Sequence, residues 1–455
     1  MATSLAEMAA ASRQPSPTEA FALTRAREAA LSRLLMAFVS AGLCFMLFPG
    51  TFLGVWNLLQ ISGRESMGSI SPAWLQAHGH AQVFGWVGSF ILGIGYYSIR
   101  SPRHGARASA LAAWVCWTMW ILGVAMRWTA NVYLWHWRAL LPASASLELA
   151  AFLIFFRAIS GHRSEEAGKK EREPWIWVVA SASLGLLSVV VANFAACIYL
   201  SVRGATPAFP PMLDQRLLVL IAWGFLVPFV WGFSAKWMPV FLGLQTLRKN
   251  WLLSAVAVNL VGLGFALGGY LSLGSWLFAS GTCLAVAALR MFEPAVNEPK
   301  IRGIHWSFSC FIRMAYGWLL VAATLGVAAG RWDTSGGIWG ASRHALTVGF
   351  VSVMILCVGQ RVLPAFAGMR TLWSTNLMFL GLLLLTLGCA LRVSAEVLAY
   401  QDYAHWAWRV LPPSALLELA ALTLFAINIM GTFVLQRTHA VREPMVVTKI
   451  ARHIG

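Results

Sequence analysis

Long apolar stretches alternate with short polar ones along the whole chain. Twelve such stretches stand out, at about 34–60, 74–99, 107–133, 138–160, 175–201, 214–241, 250–270, 273–291, 308–330, 338–362, 373–399 and 410–435. A helix of roughly 20 apolar residues crosses a hydrocarbon core of about 30 Å. Lipid offers no partner to backbone N–H and C=O groups, so each stretch is predicted to be helical throughout. Pro102, Pro142, Pro174, Pro239, Pro294, Pro364 and Pro412 fall near the ends of the stretches, where a missing N–H costs least.

The pattern repeats. Span two carries His80-Ala-Gln-Val-Phe-Gly-Trp-Val87, and 264 residues later span ten carries His344-Ala-Leu-Thr-Val-Gly-Phe-Val351. Span six reads Val219-Leu-Ile-Ala-Trp-Gly-Phe225 and ends on Lys236-Trp-Met-Pro-Val-Phe-Leu-Gly243. Span ten ends on Arg361-Val-Leu-Pro-Ala-Phe-Ala-Gly368, at the same offset of 125 as its start. Leu122-Gly-Val-Ala-Met-Arg127 answers Leu387-Gly-Cys-Ala-Leu-Arg392, and Leu147-Glu-Leu-Ala-Ala151 answers Leu417-Glu-Leu-Ala-Ala421. The simplest architecture is an all-α membrane protein of about twelve transmembrane helices in three four-helix repeats with pseudo-threefold symmetry. Its expected parts are a tail at 1–33, repeats at 34–160, 175–291 and 308–435, linkers at 161–174 and 292–307, and a tail at 436–455.

Composition supports the same class. At 59% hydrophobic and 11% charged, with a mean hydropathy of +0.68, the chain is neither a soluble globular domain nor a disordered one. The net charge of +17 raises nucleic acid as a partner, but the basic residues lie in short loops and form no continuous patch. They report topology instead. With both termini in the cytoplasm, 25 Lys and Arg fall on the inner side and 9 on the outer, as positive loops require. That orientation puts His80 and His344 at the outer ends of their spans. The seven cysteines form no CxxC pair, so neither a disulfide framework nor a thiolate metal knuckle is indicated.

An ionisable residue inside a span is costly and faces the bundle interior. The bland role for a membrane histidine is a neutral imidazole hydrogen-bonded to the next helix. Two repeat-matched histidines at similar depth, His80 and His344, also suit bis-imidazole ligation of a haem. His78 lies about 200° round the helix from His80, so both cannot face one iron. His78 is left for water or for another ligand. Arg127, Arg392 and Arg343, with Arg138 and Arg409, could meet haem propionates as guanidinium–carboxylate pairs. The competing reading pairs Arg127 with Glu148, and Arg392 with Glu396 or Glu418, to hold the bundle. Residues 214–270 hold no histidine, which argues against a second metal beside a haem. Copper at His78, His136 or His405 is open, although no ligand spacing singles it out. The chain has no CxxCH, so a haem would be non-covalent haem b.

His78-Gly-His80-Ala-Gln-Val-Phe84-Gly85-Trp86 and Arg343-His344-Ala-Leu-Thr-Val-Gly349 resemble elements of the NnrS family of membrane proteins, and Lys236-Trp-Met-Pro-Val-Phe241 is similar to its middle segment. The resemblance implies a bacterial inner-membrane protein holding haem and copper and linked to nitric oxide metabolism and nitrosative stress. Two departures stand out: Ala81-Gln82 replaces a carboxylate-bearing pair after His80, and Pro364-Ala-Phe-Ala-Gly368 lacks a second late histidine. The span count, with histidines on spans two and ten, also resembles the catalytic subunit of haem–copper oxidases. The expected function is thus a haem-b protein of nitric oxide metabolism, with lipid around it and nitric oxide or quinol as partners. The alternatives are a haem-b electron-transfer oxidoreductase and a repeat-built transporter without haem.

Overall fold

The computed structural model describes residues 16–98, 106–166, 173–369 and 371–442. The expected tails and the linker at 161–174 fall partly outside them: residues 1–15, 167–172 and 443–455 are not among those described. Among the described residues every regular element is helical.

Helix α1 runs through Pro17–Phe45, Met46–Phe52 and Leu53–Arg64. Helix α2 joins Pro72–His80, Ala81–Gly88 and Ser89–Ser98. Then come α3 (Ala106–Tyr133), α4 (Trp137–Glu166), α5 (Pro174–Arg203), α6 (Pro211–Leu242), α7 (Lys249–Leu267) and α8 (Leu271–Leu289). Helices α9 (Phe308–Trp332), α10 (Gly337–Phe366), α11 (Thr375–Tyr400) and α12 (Leu411–Arg442) complete the chain. Among the described residues, eleven helices are long and apolar enough to cross a membrane. The one outside that set is α2, whose three segments of 9, 8 and 10 residues include the polar turns around His78 and His80. Each predicted span thus corresponds to a helix.

Helices pack extensively on their sequence neighbours, α3 on α4, α7 on α8 and α11 on α12. Helix α1 packs on α2, α5 on α6 and α9 on α10. The main core is a continuous apolar cluster running from Leu35 and Phe38 through Trp120, Trp231 and Tyr316 to Phe425, with two smaller clusters around Leu58 and Tyr400 and around Leu141 and Phe209. Phe48, Phe52, Leu111, Leu184 and Trp276 stand exposed on the outside, as side chains facing lipid do.

A feature the apolar pattern does not announce is a π-helical turn in four helices: Met46–Phe52, Ala81–Gly88, Leu220–Leu226 and Ala345–Ser352. The last three begin one residue after His80, Val219 and His344. A π turn widens the hydrogen-bond ladder and frees a carbonyl. In lipid such a carbonyl needs another donor. Each turn has one. Thr51 Oγ1 donates to the Met46 carbonyl at 2.8 Å and Trp120 Nε1 to that of Phe84 at 3.0 Å. Asn259 Nδ2 donates to the Trp223 carbonyl at 2.7 Å and Ser352 Oγ to that of Thr347 at 2.8 Å. The basic residues matched at the other ends of α6 and α10 also behave alike. Lys236 lies 4.0 Å from the centroid of Trp175, and the Arg361 guanidinium 5.5 Å from that of Phe241.

Candidate functional site

Two buried polar clusters form where the matched sequence motifs meet. In the first, His80 ends the regular part of α2, and its ring stacks on Phe84 one turn later, with centroids 4.3 Å apart. Its Nε2 lies 2.7 Å from Oε1 of Glu148 on α4, a fully buried carboxylate. Glu148 Oε2 accepts from Asn193 Nδ2 of α5 at 3.1 Å. Gly123 on α3 makes room for this carboxylate, since a Cβ there would lie 2.8 Å from Glu148 Cγ. Arg127, one turn beyond Gly123 and 1% exposed, meets Cys197 Sγ of α5 at 2.7 Å through Nη1. Its guanidinium lies 4.4 Å from the centroid of Phe209. Gln76 fixes Phe209 by accepting its N–H at 2.8 Å and donating to its carbonyl at 3.0 Å.

In the second cluster, His344 Nδ1 donates to the Gly340 carbonyl one turn back at 3.0 Å and lies 2.8 Å from Glu396 Oε2 of α11. Arg392 Nε approaches the same carboxylate oxygen to 3.3 Å. Gly340 lets α11 come this close, because a Cβ there would overlap Glu396 Oε1. On the other side, Gly388 gives room to Glu418, whose Cγ would lie 2.9 Å from an added Cβ. Glu396 Oε2, Glu418 Oε1 and Arg392 Nε are buried without a hydrogen bond of good geometry.

His78 points the other way from His80, as the helical spacing predicts. It turns to α1, where Nδ1 donates to the Gly50 carbonyl at 2.9 Å and the ring lies over Gly54. It lies within electrostatic reach of Arg392 and near His344. Arg343 is exposed, and Asp214 of α6 lies within electrostatic reach of both Arg343 and Arg127. Of the two arginine readings, Arg392 pairs with Glu396, whereas Arg127 meets a thiol and an aromatic ring. His405 reaches Glu65 at 3.3 Å on the exposed rim. Among the described residues no group of three or more His, Cys, Asp or Glu side chains could hold a metal ion.

The ring nitrogens offer a chemical test of the haem expectation. A backbone carbonyl only accepts, so the proton of His78 and of His344 sits on Nδ1. The Nε2 lone pair is then free in both, the form that binds iron when a carbonyl or carboxylate holds the other nitrogen. His80 is reversed: its proton faces Glu148 from Nε2, which leaves only Nδ1, on the crowded side of the ring. His78 and His344 thus each carry an Nε2 lone pair that could serve as a donor.

These residues define an all-helical, multi-pass membrane protein with histidine–carboxylate sites in its interior. Residues 218–434 match the model of a family described as a domain of unknown function (DUF8744). The match runs from the start of the π turn in α6 to the end of the apolar part of α12, so it takes in the His344 cluster but not His78 or His80. No curated protein sequence matches the chain.

Sequence reasoning singled out His80, His344, Arg127, Arg392 and both Leu-Glu-Leu-Ala-Ala glutamates, and the structure brings them into these clusters, whereas His78 turns to α1. It missed Asn193 and Cys197, which close the first cluster, and Gly50, which receives His78. The available signal for Asn193 was a lone amide inside an apolar span.

Proposed function

We propose that this chain is a haem-b-binding integral membrane protein, similar to the NnrS family, that acts in nitric oxide metabolism or the response to nitrosative stress. We place it in a bacterial inner membrane with both termini cytoplasmic, built as three four-helix units. The π turns that follow His80, Val219 and His344 at matched positions support the threefold layout. The observation that carries the haem reading is the pair of free Nε2 atoms on α2 and α10, each fixed by an acceptor on Nδ1. The expected partner of His344 was His80; the ring-nitrogen geometry favours His78.

A bound haem supplies an exchangeable iron position for a diatomic ligand and a one-electron couple. The chain's own residues do the rest. Gly50 and Gly340 set the tautomers of His78 and His344. Arg392 and Arg343 give positive charge to propionates on that side of the bundle. The closed His80–Glu148–Asn193 group keeps α2, α4 and α5 in register. No step is assigned to copper.

A second reading is electron transfer from quinol. A groove of about 580 Å³, lined by Phe45, Phe48, Phe52, Trp56, Trp74 and Trp128, opens beside the π turn of α1, whose Gly50 faces His78. Protein purified from haem-replete cells is expected to show a Soret band that His78→Ala and His344→Ala each alter. A colourless preparation overturns the haem proposal. Reduction of the haem by added quinol favours the second reading, and a haem inert to quinol removes it.

A further inference from the structure

Helix α1 begins at Pro17, well before the apolar stretch that opens at Leu34. Between this polar extension and the near ends of α2 and α10 lies a cavity of about 450 Å³. Arg25, Glu28, Ala29, Ser32 and Arg33 form its α1 wall, spaced so that they share one helical face. Opposite them, Tyr97 of α2 stacks on Phe366 of α10, with centroids 4.7 Å apart, beside Ala367 and Gly368. Ser32 is 9% exposed, and its hydroxyl is buried without a hydrogen-bond partner. A helical serine usually bonds the carbonyl one turn back, as Ser146 and Ser183 do here. An idle buried hydroxyl on a cavity wall marks a place where a bound group completes the set.

The charges on this wall are ordered by depth. Arg33 directly precedes the apolar stretch, so it stands at the level of lipid phosphates. Glu28 lies five residues nearer the N-terminus, about 7.5 Å further from the hydrocarbon. Arg25 is further out still, and its guanidinium sits 5.7 Å from the centroid of Phe21. From the membrane outward the wall therefore presents a cation and a hydroxyl, then an anion. A simple anion would be opposed by Glu28. A phosphoethanolamine head has the complementary order, with the phosphate next to the glycerol and the ammonium beyond it.

We propose that this cavity holds the head group of an ethanolamine phospholipid, with Arg33 and Ser32 on its phosphate and Glu28 on its ammonium. The Tyr97–Phe366 wall packs against the glycerol end. The inference is independent of the haem reading and uses only the membrane-spanning fold.

Native mass spectrometry of the full-length protein in detergent tests it, with dioleoyl phosphatidylethanolamine, phosphatidylcholine or phosphatidylglycerol added. The ethanolamine lipid is expected to bind about tenfold tighter than the choline lipid, whose trimethylammonium offers Glu28 no N–H. Glu28→Ala is expected to bring the two within about twofold of each other. Arg33→Gln is expected to weaken all three lipids about fivefold. Ser32→Ala is expected to weaken them about threefold without lowering the lipid-free melting temperature, since it deletes an unpaired hydroxyl. Glu28 and Arg33 are exposed and Ser32→Ala is conservative, so the variants keep their fold. Lys300→Gln, at an exposed charge of another loop, is expected to change nothing. Choline and ethanolamine lipids of equal affinity overturn the proposal. So does a phosphatidylglycerol that binds tightest and is strengthened by Glu28→Ala, which marks a plain anion site. A Lys300→Gln loss as large as that of Arg33→Gln reduces the binding to diffuse surface charge and also overturns it. Displacement of the lipid by millimolar O-phosphoethanolamine overturns the lipid as occupant and assigns the cavity to a soluble phosphoamine.

Discussion

The His80 and His344 clusters are built from the same parts and finished differently. In both, a glycine of α3 or α11 makes room for a glutamate of α4 or α12, with an added Cβ 2.8 or 2.9 Å from the glutamate Cγ. In both, that added Cβ would also lie 3.0 Å from a serine carbonyl, of Ser144 or Ser414. An arginine, Arg127 or Arg392, follows the glycine by four residues. The difference is one turn further along. Asn131 of α3 donates to the Ala73 carbonyl at 3.2 Å and stays away from His80. Its counterpart on α11 in the arginine frame is Glu396, which takes His344. His80 is therefore left to Glu148, whose two oxygens are both used, while Glu418 keeps an oxygen without a partner. The carboxylate of one cluster is closed and those of the other are open, while Arg127 Nε and Arg392 Nε are alike in lacking a partner. A buried carboxylate pair with every atom satisfied is a structural device, whereas spare buried polar atoms mark a place where a ligand or water completes the set.

The sharpest way to break this comparison is to remove each histidine in turn. His80→Ala is expected to leave the Soret band in place, and His344→Ala to abolish it. Haem lost from His80→Ala and retained by His344→Ala would reverse the assignment of closed and open clusters.

The glutamates give the next largest contrast. Glu148→Ala strands His80 and Asn193 in a dry site, so thermal unfolding in detergent is expected to show a loss of about 3–5 kcal/mol. Glu418→Ala removes a carboxylate that already lacks one partner, and about 1 kcal/mol is expected. Equal losses at the two positions mean that the clusters are energetically alike and that the spare oxygen of Glu418 carries no information.

Much of this was legible in the sequence. The spans follow from apolar length alone, because lipid admits no other backbone solution. The matched Leu-Gly-x-Ala-x-Arg and Leu-Glu-Leu-Ala-Ala motifs located both clusters before any coordinates. The partner of His78 was not legible, because the Gly50 carbonyl is backbone from another helix and has no sequence signature. The π turns were hidden for a similar reason. A single widened turn leaves apolar periodicity almost unchanged, and Trp120, Asn259, Thr51 and Ser352 look like ordinary span residues until they are seen on their carbonyls.

Those carbonyls supply the smallest and last test, because the two histidine helices secure their π turns by different means. In α2 the Phe84 carbonyl depends on Trp120 of α3, a fully buried indole reaching across from another helix. In α10 the Thr347 carbonyl depends on Ser352 of the same helix, five residues on. Trp120→Phe keeps most of the ring volume but strands a carbonyl in the apolar core, at an expected cost of about 1–3 kcal/mol. Ser352→Ala removes a bond whose acceptor and donor sit on one flexible turn. The turn can relax toward regular α-helical bonding, so a loss of only about 0.6 kcal/mol is expected, near the average for a polar contact within a membrane. The relaxation has a second consequence. Restoring a regular turn after His344 rotates the rest of α10 relative to the histidine, so Ser352→Ala is expected to shift the haem spectrum more than its small stability loss suggests. Trp120→Phe, which lies behind the closed cluster, is expected to cost stability and leave the spectrum alone. If the larger spectral change comes from Trp120→Phe, the π turn of α2 rather than that of α10 governs the site.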